Sequence, residues 1–158
     1  MTLVQRIPFD GRREFHETVL QALRLCHRSM LLLDPTLQHW PLENAETASA
    51  LRAAVSAGAT LRVLIAGTDW AERHAPRLAR LRREHAARVE FRRLPALVRI
   101  SDSFLVVDAA HTVRLAHPDS TRGVCTLHDP SQANVPVDRF ETAWLESEPC
   151  LPATTLGL

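Results

Sequence analysis

The sequence predicts an α/β fold, a mixed and largely parallel β-sheet flanked by helices on both faces. Three observations carry that reading. Amphipathic stretches of helical period alternate with short, wholly apolar runs as far as Leu94, the pattern of buried strands joined through helices. A closing series of short strand-like runs, with no helix between them, makes the sheet mixed. A final amphipathic stretch then sets Phe140 and Trp144 four residues apart on one helical face.

The elements follow in order. Val4 to Phe9 is a short first strand, and Asp10, with Glu14 in the first turn, is the expected N-cap of a helix running to about His27. Phe15, Val19, Ala22, Leu23 and Cys26 recur at the three-and-four spacing of one buried stripe. Ser29 to Leu33 reads as a fully buried strand that ends at Asp34-Pro35, and Gln38 to Pro41 as a loop. Glu43 to Ala57 is a second helix with Ala45, Ala48, Leu51 and Val55 inward, stopped by Gly58. Thr60 to Ala66 is a strand. Trp70 to Ala87 has helical period but contains Pro76, so the regular helix starts there, with Leu78 and Leu81 inward and Arg77 and Arg80 outward near Glu84. Arg88 to Leu94 alternates like a half-buried strand. Strands at Phe104 to Val107, Thr112 to Ala116 and Val124 to Leu127 precede a helix from about Val137 to Glu146.

A chain of 158 residues is long enough to bury a core without disulfides or metal, and it reads as one domain over residues 1–148 with a C-terminal tail at 149–158. Cys26, Cys125 and Cys150 are odd in number and scattered, which fits buried thiols in a reducing compartment. Cys125 and His128 are three apart on a strand and so face opposite ways, and no metal site or cofactor is expected. No stretch approaches a transmembrane segment, and a cytoplasmic location is expected. All nineteen basic residues are Arg, which removes every mechanism that needs a Lys. The net charge of +1 conceals an asymmetry: Met1 to Arg99 carries sixteen Arg against ten acidic residues, or +6, while Ile100 to Leu158 carries three against eight, or −5.

The stretch Val98-Arg-Ile-Ser-Asp-Ser-Phe-Leu-Val-Val-Asp108 organises the rest, a polar approach followed by an apolar strand that closes on a carboxylate. Together with Ser-Met-Leu-Leu-Leu at 29–33, Gly-Ala-Thr-Leu-Arg-Val-Leu-Ile at 58–65 and Arg-Phe-Glu-Thr-Ala-Trp at 139–144, it resembles one repeat of the phospholipase D superfamily, over about Arg6 to Glu146. The family motif is His, any residue, Lys, four residues, Asp. Aligned on Asp108, its His position is Ser101 and its Lys position is Ser103, and the family's Gly-Ser-x-Asn turn is replaced by Arg114-Leu-Ala-His-Pro-Asp-Ser120. The resemblance implies enzymes that join two repeats, in one chain or as a homodimer, with one His attacking phosphorus, a second protonating the leaving group, and Lys neutralising the phosphate. This chain carries neither His nor Lys there, so no catalytic residue is expected.

The ligand-binding candidates are Asp34, Ser101, Ser103, Asp108 and His117. Each has a plainer reading: Asp108 and Asp34 as turn formers, the two serines as polar lining, and His111, His117 and His128 as solvated loop histidines. Trp40 is either a mobile lid or the cover of a core edge. Arg73 to Arg99 holds nine Arg against Glu84 and Glu90, net +7, with Arg77, Arg80, Arg83 and Arg92 as candidates for anion or nucleic-acid contact. A solvated face, or pairing with the acidic second half of the same or a neighbouring chain, is the competing account. Three functions follow: a non-catalytic, dimeric phospholipase D-like module for an anionic ligand or protein partner; a phosphodiesterase with a substitute nucleophile such as Ser101 or His117; or a nucleic-acid or acidic-lipid binder acting through the Arg-rich stretch.

Overall fold

The computed structural model describes residues 2–151. Its elements run β1 (Gln5–Asp10), α1 (Arg12–Arg24), β2 (Ser29–Leu33), α2 (Ala45–Ser56), β3 (Thr60–Ile65), α3 (Asp69–His74), α4 (Pro76–Glu84), β4 (Val89–Arg93), β5 (Phe104–Val107), β6 (His111–Leu115), β7 (Arg122–Leu127), α5 (Pro130–Leu145) and β8 (Glu148–Pro149). The strands form one mixed sheet in the order β1-β7-β6-β5-β2-β3-β4-β8. Parallel pairing occurs where helices cross over, between β2 and β3 and between β3 and β4. The remaining neighbours are antiparallel, so parallel pairs are a smaller share than the helix–strand alternation suggests. Among the described residues no helix is long and apolar enough to cross a membrane.

Two apolar layers hold the sheet. Phe15, Val19, Leu51, Val55, Leu78 and Leu81 from α1, α2 and α4 cover one face against Met30, Leu32, Leu61, Val63 and Leu105. Ala133 and Phe140 of α5 cover the other against Leu31, Leu33, Leu64, Phe104 and Val106. Alternate residues of β2 therefore serve both layers, which is why Ser29 to Leu33 reads as a continuous apolar run.

Several local expectations are corrected. Asp10 is the last residue of β1 and not a cap; Gly11, at φ 119, turns the chain, and the Glu14 carboxylate accepts the Asp10 N–H at 2.9 Å. Helix α2 turns its Thr47, Leu51, Ala54 and Val55 inward, leaving Ala45 exposed, because the helix starts at Ala45 and its buried stripe begins two residues later. The break at Pro76 divides α3 from α4 as expected. Helix α5 begins at Pro130, seven residues before Val137. Asp129 caps it by accepting the Gln132 N–H, Pro130 occupies the first turn, and Pro136 sits within the helix, buried. The expected tail also starts too early, because Pro149 pairs with Arg92 in β8 and the Cys150 N–H donates to the Phe91 carbonyl at 3.0 Å. The rest of that tail, 152–158, lies outside the described residues.

Candidate functional site

Antiparallel pairing of β2 with β5 brings the carboxyl end of β2 beside the start of β5, with Leu33 opposite Phe104. Ser103 and Asp34, one residue beyond that pair, therefore meet. The Ser103 hydroxyl donates to Asp34 Oδ1 at 2.5 Å and accepts the Trp40 indole N–H at 2.9 Å. Asp34 Oδ2 accepts the backbone N–H groups of Thr36 and Leu37 at 3.1 and 2.7 Å, which shapes the 34–37 turn with Leu37 in the left-handed region at φ 72. Trp40 is 3% exposed, Asp34 2% and Ser103 1%. Trp40 packs edge-on against Phe15 at 5.0 Å, so the indole is anchored in the α1 layer and covers a core edge. Every side-chain oxygen of the Ser103–Asp34 pair thus has a partner inside the protein, and water is excluded.

Ser101 lies two residues earlier on the exposed loop that leads into β5, at the wall of a groove of about 430 Å³ between that loop and α5. The floor is Leu33, Leu94, Val98, Ile100 and Ala143. Asp102, beside Ser101, is held by Arg139 at 2.5 Å and lies 3.8 Å from Arg114. His117 is exposed in the turn between β6 and β7, on the same end of the sheet.

Asp108 is elsewhere. It ends β5 at the opposite end from Ser103, roughly 16 Å away along an extended strand. Asp108 and Ala109 both have positive φ, 54 and 52, as a tight turn from β5 into β6 requires, and Asp tolerates that conformation better than most residues. Its Oδ1 accepts the N–H groups of Arg28 and Ser29 at 2.7 and 3.0 Å, and Oδ2 accepts that of His27 at 2.9 Å. Burial pushes its carboxyl up, but those three amides outweigh it and hold the group below the ordinary Asp range. The same carboxylate, after burial, helps raise the neighbouring Cys26 thiol to about 11.

His111 is a correction to its expected place in a solvated turn. It is buried at the start of β6, where its Nδ1 accepts the His128 N–H at 3.0 Å, and the two rings meet edge-on at 4.6 Å. Burial, then the charge of His128, lowers its affinity for a proton, with Asp108 acting in the opposite direction and His27 adding to the lowering. No spacing signal announces this pair, because His111 opens β6 while His128 follows the end of β7.

The Arg-rich stretch does not form one face. Arg92 donates to the Ser147 hydroxyl and carbonyl, both at 2.8 Å, and lies over the Trp144 ring at 5.2 Å. Arg93 pairs with Glu148, while Arg82 and Arg88 donate to the carbonyls of Ala86 and Val55. Arg77 donates to Glu43, and Arg80 shares Glu84 with Arg52. Among the described residues Arg73, Arg83 and Arg99 make no hydrogen bond or ion pair through their side chains. No group of three or more His, Cys, Asp or Glu among the described residues is arranged to hold a metal ion.

Residues 11–156 match a family described as a domain of unknown function, DUF7931. Among solved structures the chain is similar to TrmBL2, an archaeal chromatin protein whose structure shows a novel mode of DNA binding, at 16% identity and a TM-score of 0.67 over 95% of this chain and 55% of that one. The chain therefore spans little more than half the length of TrmBL2. It is also similar to Nuc from Salmonella typhimurium, a phospholipase D family member, at 15% identity and a TM-score of 0.62 over 94% of this chain and 97% of that one. NucT from Helicobacter pylori aligns at 7% identity with a TM-score of 0.67 over 94% and 100% of the two chains. No curated protein matches. The fold is phospholipase D-like, and at these identities the likeness is one of fold.

Proposed function

We propose that this chain, which belongs to the DUF7931 family, is a single phospholipase D-like domain that binds an anionic ligand or a protein partner as a homodimer and does not cleave phosphodiesters. The observation that carries the reading is the closed network at Ser103. The position that corresponds to the family's phosphate-neutralising Lys is a buried hydroxyl already satisfied by Asp34 and Trp40. The side-chain oxygens there are already engaged, and among the described residues Ser101 has no imidazole or carboxylate hydrogen-bonded to it that would serve as a base. Of the binding candidates, Asp34, Ser103 and Asp108 are committed to internal partners, which leaves Ser101 and His117 as the exposed ones.

Incubation with a chromogenic phosphodiester, phosphatidylcholine and DNA tests the reading, and no turnover is expected. Removing both the nucleophile and the charges that stabilise the transferring phosphoryl group costs orders of magnitude in rate. Metal-independent turnover abolished by Ser101→Ala or His117→Ala would overturn it in favour of a substitute nucleophile. A second reading, nucleic-acid binding through Arg77, Arg80 and Arg83, is favoured by the likeness to a DNA-binding chromatin protein and by the exposure of those residues on α4.

A further inference from the structure

The face formed by α5 and the loop before β5 is unlike the rest of the surface. Leu97, in that loop, is 97% exposed, and Arg99, two residues on, has no polar partner for its side chain among the described residues. Beside Leu97 lies the groove floored by Leu33, Leu94, Val98, Ile100 and Ala143, with Arg99 on its wall. Asp138 and Glu146 stand on its rim, also without side-chain partners among the described residues, whereas Arg139 is already engaged by Asp102. An apolar knob with a cation next to it therefore adjoins an apolar groove with two acids at its edge. Within one chain these pieces do not satisfy one another.

We infer that a second copy of this chain docks on this face, each copy seating Leu97 in the groove of the other and setting Arg99 against Asp138 and Glu146. The inference rests on the homodimer part of the function proposed above and names its surface. Knob and groove are adjacent on one surface, so a twofold axis between them satisfies both at once, which is the self-complementarity a closed dimer needs. The charges match in sign across the axis, and the apolar groups they surround are the kind that a dimer interface excludes from water. One loop is too small to hold a dimer. Val135 and Leu145, both exposed, extend the surface along α5, since 135, 138, 142 and 145 recur at helical spacing. The 16 residues of α5 span about 24 Å, which carries the contact beyond the loop toward the roughly 800 Å² per partner of a standard interface. Ser101, at the groove wall, would then face a cleft lined by both copies.

Light scattering or sedimentation across a concentration series on the full chain tests this. Wild type is expected at twice the 17.7 kDa chain mass. Leu97→Asp, and separately Arg99→Glu, should each raise the dimer dissociation constant by about tenfold or more, with unchanged melting of the monomer because both side chains are exposed. Combining Arg99→Glu with Asp138→Arg and Glu146→Arg should recover at least part of the loss. A wild type that stays monomeric at tens of micromolar overturns the inference and the dimer reading together. A dimer that Leu97→Asp and Arg99→Glu both leave intact overturns the inference alone.

Discussion

The carboxylate of Asp108 accepts three backbone N–H groups, from His27 and Arg28 before β2 and from Ser29 at its start, while its own backbone turns the chain from β5 into β6. Replacing it with Asn puts a donor where an acceptor is needed and orphans at least one of those amides. Asp108→Asn is expected to cost about 2–3 kcal/mol, read from chemical denaturation. The sign of its pH dependence follows from the lowered carboxyl: the stabilisation is present above the unfolded Asp value and is lost as pH falls through the lower folded one. His111 acts in a different window. Its folded form resists the proton, so the native state is fully stable above the ordinary His range, and loses stability as pH falls below it, until the folded group itself protonates and gives up the His128 N–H. Melting temperature should therefore drop as pH falls below about 6.5, and His111→Gln should flatten that drop. A profile unchanged by the substitution would assign the drop to other histidines such as His16, which is also lowered, by burial and then by Arg12.

At the level of elements, the hairpin from β5 to β6 is closed by Asp108 and Ala109, and an alanine at φ 52 carries left-handed strain that glycine does not. Ala109→Gly is expected to stabilise the chain by about 0.5–1 kcal/mol, the strain relieved less the entropy glycine loses on folding. Gly123 in β7 is the opposite case, because a Cβ there would stand 2.1 Å from the Arg114 carbonyl oxygen and 2.8 Å from Phe9. These are contacts that a sequence does not display. The strands and most helices were legible because burial on one or both sides imposes a period, as in Ser29 to Leu33 and in Phe15 to Leu23. The first half of α5 was not, since Pro130 and Pro136 look like breaks; the usable signal was the Asp129-Pro130 pair, a capping side chain followed by a first-turn proline. The candidate site was legible only as a set of absences. Ser103 could be aligned to the family's Lys position, but its closure by Trp40, sixty-three residues away, depends on β2 and β5 being paired and has no local signature.

The whole molecule brings its oppositely charged halves together, though only in part. Arg62 and Arg93 of the basic half pair with Glu141 and Glu148 of the acidic half, and Arg62 and Arg92 both lie over the Trp144 ring, so α5 is fastened to β3 and β4 by cations that bulk charge would assign to an external partner. What remains outward and unengaged on α4 is Arg83, since the Arg77 guanidinium donates to the Glu43 backbone carbonyl and Arg80 pairs with Glu84. A duplex contacted by so few available cations releases few counterions, and each released phosphate contact contributes close to one unit of slope in the logarithm of affinity against the logarithm of salt. Titration of a labelled DNA duplex, or of acidic vesicles, should therefore show weak binding at physiological ionic strength with a shallow salt slope that Arg77→Ala, Arg80→Ala and Arg83→Ala together abolish. Submicromolar affinity with a steep slope would mean that the Arg80–Glu84 pair and the Arg77 contact to the Glu43 carbonyl open to meet phosphate, and nucleic-acid binding would then displace the partner-binding reading.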